Sequence, residues 1–366
     1  MRIVLEKRQS LSRRAVVLVP ILSFIVALVL GAILLIFSGA NPITTYLAMF
    51  RGAFGSMYSF SETMVKAIPL MLTGLGVAIA FRLRFWNIGA EGQFVWGAIA
   101  STGVALFLND FIPLAWLLPA VILAGMIAGA VWAGIPAVLK AFIGVDETLT
   151  TLMLNYVAIL FAQYLFYGPW RDPQGYGFPG TAMFPEAAWL PRLFGRAHWG
   201  VIFAIIAAIF LWFTFSRTRW GFELKIIGEN KAAAEYLGIK IARNIVLALL
   251  LSGALSGLAG AAEVAGVSRR LQTGLSLGYG YTAIIVAWMA QLKSIPVLFV
   301  AVLLGALIVG GDQVQMVMGL PSSVGLVLQG LILFPMLAGN LFTEYRLRIV
   351  RSKKSRKLDS KAEVRP

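Results

Sequence analysis

The chain has no cysteine among its 366 residues and a single histidine, His198. Without thiols it forms no disulfide, holds no metal through thiolate and performs no thiol chemistry. One imidazole effectively rules out a histidine metal cluster or a histidine-based triad. Charge is also scarce: Asp, Glu, Lys and Arg make up 13% against 59% hydrophobic residues, a ratio that a soluble domain of this size could not hide from water. No Gly-x-x-x-x-Gly-Lys-Ser/Thr loop occurs, so the chain by itself cannot cradle ATP phosphates in that way.

What fills the sequence instead is apolar runs long enough to cross a bilayer as helices. Ten are predicted, near residues 15–37, 64–81, 93–108, 113–139, 148–168, 199–215, 245–267, 279–292, 295–310 and 322–342. The first follows Arg13 and Arg14 and precedes Ser38-Gly39-Ala40, like a secretory signal, but about 23 apolar residues exceed a signal core and read as a retained anchor. The net charge of +15 is distributed by side: 24 of the 31 Lys and Arg fall on segments assigned to the cytoplasm and 7 outside. This positive-inside bias predicts both termini in the cytoplasm. The division that follows is a basic N-terminus (1–14), a membrane domain (15–342) and a basic tail (343–366), the tail read as a solvated, partly disordered anchor near anionic lipid. No aromatic platform accompanies the tail's charges, which argues against nucleic acid as a partner.

Two apolar spans end in similar breaks. A small-residue span (Pro69 to Ala80) leads into RLRFWNIGAEGQ, and another near residue 252 leads into RRLQTGLSLGYG, about 186 residues later. The fold class expected is therefore all-α and integral to the membrane, with about ten transmembrane helices in two inverted five-span repeats and interrupted helices near the solute pathway. Broken backbone persists in lipid mainly where it faces protein or a cavity, so Asn87, Glu91, Gln93, Asn155 and Trp288 become candidate pathway residues. Asn87 can cap the helix starting near Gly89, and Glu91 either serves the pathway or pairs with Arg82 or Arg84. Glu263 is either a pathway residue or a partner of Arg269 or Arg270, while Gly125, Gly129, Ser252/Ser256 and Gly253/Gly257 have the spacing of close helix packing. Few other ionisable groups lie in the spans, which suits a neutral, hydroxylated solute.

The segment 216–244 is a charged island between apolar runs. Its core, GENKAAAEYLGI, reads as a short helix opening at Gly228, capped by Asn230, carrying Ala233 and Ala234, and stopping at Gly238. Small residues on one side fit such a helix for another protein's groove. This segment resembles the cytoplasmic coupling loop of ABC-importer permeases. Asn87-Ile88-Gly89-Ala90-Glu91-Gly92-Gln93 is similar to the Asn-Ile-Gly-x-Glu-Gly-Gln signature of their nucleoside and simple-sugar branch. Val145 to Asn155 resembles the family's Asn-Glu-x-x-x-Thr-Leu-Met-Leu-Asn, with Asp146 in place of the usual Asn, and Gly278-Tyr279-Gly280-Tyr281 its Gly-Tyr-Gly run.

The resemblance implies the permease subunit of an ATP-driven importer in a bacterial cytoplasmic (inner) membrane. It binds no cofactor itself; ATP belongs to a separate ABC ATPase subunit that docks on Gly228, Asn230, Ala233, Ala234 and Gly238. A second permease subunit, often non-identical, and an extracytoplasmic substrate-binding lipoprotein are implied as partners. The long outer loop 168–198, with Trp170, Tyr176, Phe178, Pro179 and Trp189, either receives that lipoprotein or packs as a lid on its own spans. Nucleosides are the expected solutes, with a simple sugar such as ribose as the alternative. Phe85, Trp86, Tyr279, Tyr281 and Trp288 either stack on a base or anchor the membrane interface. An ion-coupled secondary transporter would share the repeats, but would favour intramembrane carboxylates and need no docking helix.

Overall fold

The computed structural model describes residues 2–7, 13–319 and 321–350. They form thirteen α-helices and four short strands, divided between two compact units, one holding the described residues before 35 and after 329 and the other those of 35–329. In the first unit β1 (Arg2–Lys7) pairs antiparallel with β4 (Tyr345–Val350), Arg2 facing Val350. The tail expected to be solvated over 343–366 therefore begins with the last residues of a helix and a strand; its remainder, 351–366, lies outside the described residues. This unit also holds most of α1 (Arg13–Phe37) and the end of α13 (Ser322–Glu344).

The second unit starts with α2 (Pro42–Phe54), which no apolar run predicted. Asn41 caps it, its side chain accepting from the amides of Ile43 and Thr44. Then come α3 (Met57–Arg82), α4 (Ala90–Phe107), α5 (Leu114–Val138) with a π-helical turn at Leu139–Ile143, and α6 (Glu147–Tyr167). A long loop carries a 3₁₀ turn (Glu186–Ala188) and the pair β2 (Arg192–Phe194) and β3 (Ala197–His198). After it follow α7 (Gly200–Arg217), α8 (Arg219–Glu229), α9 (Lys231–Tyr236), α10 (Ile241–Glu263, then a π turn Val264–Ser268), α11 (Tyr279–Met289) and α12 (Ser294–Met318).

Six of the described helices are long and apolar enough to cross a membrane (α3, α5, α6, α7, α10 and α12), or seven if α1 and α2 count as one bent span. Each of the ten predicted runs falls on a helix, but α4 carries Glu91, Gln93, Ser101 and Thr102. The 11 residues of α11 rise only about 16 Å, roughly half a bilayer core.

Small residues decide the packing. α3 and α10 are the enclosed helices, whereas α5, α6 and α7 turn most of their apolar surface outward. α10 lies against α4 and α5 so closely that a Cβ on Gly253 would fall 2.3 Å from the carbonyl oxygen of Gly129, and one on Gly257 2.1 Å from that of Gly125. The small-xxx-small spacing thus serves backbone-to-backbone packing, as lipid-embedded helices require.

Candidate functional site

Both predicted breaks are non-helical in the structure: residues 83–89 separate α3 from α4, and 269–278 separate α10 from α11. They meet at Glu91, in the first turn of α4. One of its carboxylate oxygens accepts from the hydroxyl of Ser276 and the other from the Gly280 amide at 2.6 Å. The carboxylate thus sits at the N-terminal ends of two helices at once, where both dipoles favour an anion. Contact is tight enough that a Cβ on Gly280 would lie 2.2 Å from the Glu91 backbone nitrogen.

The expected pairing of Glu91 with Arg82 or Arg84 is not what forms. Arg82 reaches past the break to the far end of α11, donating Nε and Nη2 to the Leu292 carbonyl at 3.2 and 2.9 Å, and its guanidinium lies 3.8 Å over the Phe215 ring. α11 is therefore held by a carboxylate at its N-terminus and a guanidinium just past its C-terminus, both signs matching the helix dipole.

The first break is filled by buried amides. Asn87 Oδ1 accepts from Gln93 Nε2 (3.0 Å) and the Gly89 amide (3.1 Å), while its Nδ2 donates to Gln93 Oε1 (3.3 Å) and Ser252 Oγ (3.1 Å). Asn155 on α6 accepts from the Gly92 amide at 2.8 Å and donates to the Ile88 carbonyl (2.9 Å) and the Tyr281 hydroxyl (3.3 Å). Of the five pathway candidates, Asn87, Glu91, Gln93 and Asn155 are brought together and buried. Trp288 stands apart, half-exposed, its ring 6.0 Å from both Trp86 and Phe81.

The second break is bounded by cavities rather than filled. A cavity of about 600 Å³ is lined by Lys66, Arg196, Glu263, Arg270, Gln272 and Gly274 among others. A smaller one of about 190 Å³ is lined by Glu91, Gln163, Phe166, Thr273 and Ser276, and shares Gln272, Gly274 and Leu275 with the first. Glu263 has not joined Arg269 or Arg270: Arg269 lies 3.7 Å over the Trp189 ring, and Arg270 donates to Gln272 Oε1. The long loop holds the start of this break, with the amides of Thr181 and Phe184 donating to the carbonyls of Leu271 and Arg269. Its Trp170 packs on Phe107, whereas Tyr176 and Phe178 are exposed. Beneath the π turn that precedes the break, His198 is buried and accepts from the Gly200 amide at Nδ1, 3.2 Å. Burial pushes its imidazole down to about 4.

The charged island is two helices, not one. Gly228 lies near the end of α8, where a Cβ would fall 1.9 Å from the Arg82 carbonyl oxygen. α9 begins at Lys231, capped as predicted by the Asn230 side chain on the Ala233 amide at 3.1 Å, and stops before Gly238, whose φ of +71° suits glycine. Ala234 is buried, while Ala233, Tyr236 and Leu237 are exposed.

Enclosed broken helices meeting inside outward-facing apolar ones, with a charged helical turn outside them, define an all-helical, multi-pass membrane protein. The family described as branched-chain amino acid transport system permease component matches residues 59–337. The chain belongs to that family, as a permease of its nucleoside and sugar ABC importers. It is 35% identical over 342 residues to the glucose ABC transporter permease protein TsgB13 of Haloferax volcanii, covering 90% of this chain and 89% of that one. It is 34% identical to the guanosine ABC transporter permease protein NupP of Bacillus subtilis (93% and 97% covered). Identity is 33% to the nucleoside ABC transporter permease protein NupB of Lactococcus lactis (87% and 90%). Each of the last two organisms has a second permease protein of the same described transport, NupQ at 29% and NupC at 27%.

Proposed function

We propose that the chain is one of two non-identical permease subunits of an ATP-driven importer in a cytoplasmic membrane, moving nucleosides inward with the Arg82 end and both termini in the cytoplasm. The observation that carries the coupling is the contact of Gly228 with the Arg82 carbonyl. Through it the exposed α9 is joined to the end of α3, and so to the break that Glu91 ties to the other. A separate ATPase bound on Ala233, Tyr236 and Leu237 would have a continuous packed route to both breaks, which a two-state coupling needs. This chain holds no nucleotide in that reading; ATP stays on the ATPase, and an extracytoplasmic lipoprotein delivers the solute.

The opposed directions of the breaks support inverted repeats: α3 ends at Arg82 and α4 starts beyond it, whereas α10 ends at Glu263, which shares the larger cavity with Lys66 in the first half of α3. In this arrangement α4 and α11 are the interrupted elements among ten membrane segments. The similarity to the second permeases NupQ and NupC supports a non-identical partner. An ion-coupled carrier is disfavoured by the match to ABC-importer permeases, and Glu91 is committed to Ser276 and Gly280. A sugar remains the second reading, favoured by the glucose permease relative.

Two experiments test this. Ala233→Arg should leave the chain folded and inserted and abolish ATP-driven uptake, whereas Ala234→Arg would disturb a buried site and cannot discriminate. Uptake of labelled uridine, adenosine and ribose by cells expressing the complete system decides the solute; ribose uptake that neither nucleoside competes for would replace nucleosides with sugars.

A further inference from the structure

The larger cavity contains a group that no contact described above uses. Glu263 closes α10 and is buried, and its Oε2 has no hydrogen-bond partner among the described residues, a state that buried polar groups rarely keep without a reason. None of the neighbouring cations pairs with it directly: Arg196 pairs with Glu62 at 3.1 Å, Arg270 bonds Gln272 at 2.6 Å, and Lys66 acts on Glu263 only through its charge. Glu263 forms no ion pair among the described residues. With Arg196 paired to Glu62, the wall keeps Lys66, Arg270 and Glu263, and a neutral solute with hydroxyl donors satisfies the carboxylate without bringing further charge. A volume of about 600 Å³ lies within the range of about 300–1,000 Å³ usual for small-molecule sites.

We infer that Glu263 is a solute-recognition residue of this cavity, its carboxylate turning the buried Oε2 outward to accept, with Oε1, the two hydroxyl protons of a vicinal diol, the unit common to ribonucleosides and simple sugars. In its ionised form a carboxylate offers acceptors only, so it matches two adjacent donors. Lys66, Arg270 and the Gln272 amide supply the complementary donors for ring oxygens or a base. The site is also well placed, because Gln272, Gly274 and Leu275 wall both this cavity and the smaller pocket beside Glu91. A solute held at Glu263 rests directly on the segment that separates the two. The inference rests on the import reading, but its test does not read uptake.

Met183 lines the cavity, is exposed and lies in a chain without cysteine, so Met183→Cys places a single thiol in this chain, read against the complex that keeps Met183. In vesicles containing the assembled complex without ATP, its modification by a small impermeant thiol reagent is timed with uridine, ribose or 2′,3′-dideoxyuridine. At about ten times its dissociation constant, uridine should slow modification about tenfold, and dideoxyuridine should not. Ribose that protects equally assigns the contact to the sugar alone, and ribose that fails while uridine protects assigns it to a diol carried on a base. Protection by uridine should vanish in Glu263→Gln and persist in Glu263→Asp. Equal protection by uridine and dideoxyuridine, protection unchanged in Glu263→Gln, or no protection by either diol solute overturns the inference, the last leaving water as the only occupant. If Glu263→Gln fails to assemble, the uridine and dideoxyuridine comparison with Glu263 in place decides alone. Uptake by the unlabelled complex scores the import reading separately.

Discussion

The two breaks solve the same problem in opposite ways. Residues 83–89 satisfy their freed polar groups internally: the amides of Leu83, Arg84, Phe85, Asn87 and Ile88 donate to nearby backbone carbonyls, Asn87 takes the Gly89 amide, Asn155 takes the Ile88 carbonyl, and Gln93 and Ser252 close the side-chain network. Residues 269–278 are anchored mainly at their ends, by the long loop at Arg269 and Leu271 and by Glu91 at Ser276 and Gly280, with Thr273 and Gly274 exposed between cavities. Satisfied buried networks rigidify, whereas segments with few buried contacts open at low cost. The first break is thus a fixed seat, and the second is the part able to move on it.

The contact between seat and moving part is where the largest effect is expected. Gly280→Ala would drive a Cβ into the Glu91 backbone, which unlike a flexible side chain cannot swing aside. Overpacking of this kind costs about 1–3 kcal/mol, so at the upper end the meeting geometry is lost by about a hundredfold. Uptake per assembled complex should fall accordingly, and near-normal uptake would show that the two breaks need not touch.

The next test separates the breaks from each other. Asn87→Ala strips partners from Gly89, Gln93 and Ser252 together and should destabilise the solubilised complex by about 3 kcal/mol, at the upper end for orphaned buried groups. Gln272→Ala, in the partly exposed second break, should change stability by less than about 0.5 kcal/mol and lower uptake all the same. Equal thermal destabilisation by the two variants would erase the distinction between seat and moving part.

Much of this was readable beforehand for a physical reason. Local chemistry leaves local marks: the Asn230 cap, the glycine after α9, the small-residue stripe on α10 and the positions of both breaks all follow from residues within a few positions of one another. What the sequence could not convey was pairing across long separations. Glu91 and Arg82 are nine residues apart and of opposite charge, so a mutual ion pair was the natural expectation. They instead take opposite ends of α11, some 190 and 210 residues away. A carboxylate and a guanidinium flanking one break, with a short helix elsewhere whose two ends lack charged caps, is the signal that would have found this. Gly228 misled for the opposite reason: a glycine before an Asn cap looks like a helix start, and only the packing shows that it ends α8 against the Arg82 carbonyl. α2 escaped because a 13-residue helix with polar Thr44, Thr45 and Arg51 has too little apolar length to register as a run.

The most local predicted effect is specific to the second break and depends on pH. His198 supports the π turn that leads into that break; a Cβ on Gly266 would touch its imidazole at 2.7 Å. Because burial lowers its folded value to about 4 from an ordinary 6.5, the unfolded chain binds a proton first as the solution is acidified. Stability is then fully present above about pH 6.5 and is lost as pH falls toward 4, by slightly under 1 kcal/mol at pH 6 and about 3 kcal/mol at the lower limit. The loss should be local at first. Hydrogen exchange at pH 6 compared with pH 7.5, corrected for intrinsic rates, should show weakened protection in Val264–Leu271 and none in Leu83–Gly89, and His198→Gln should remove that pH dependence. A matching loss of protection in both segments would mean that His198 supports the whole bundle, and that the second break is no more independent than the first.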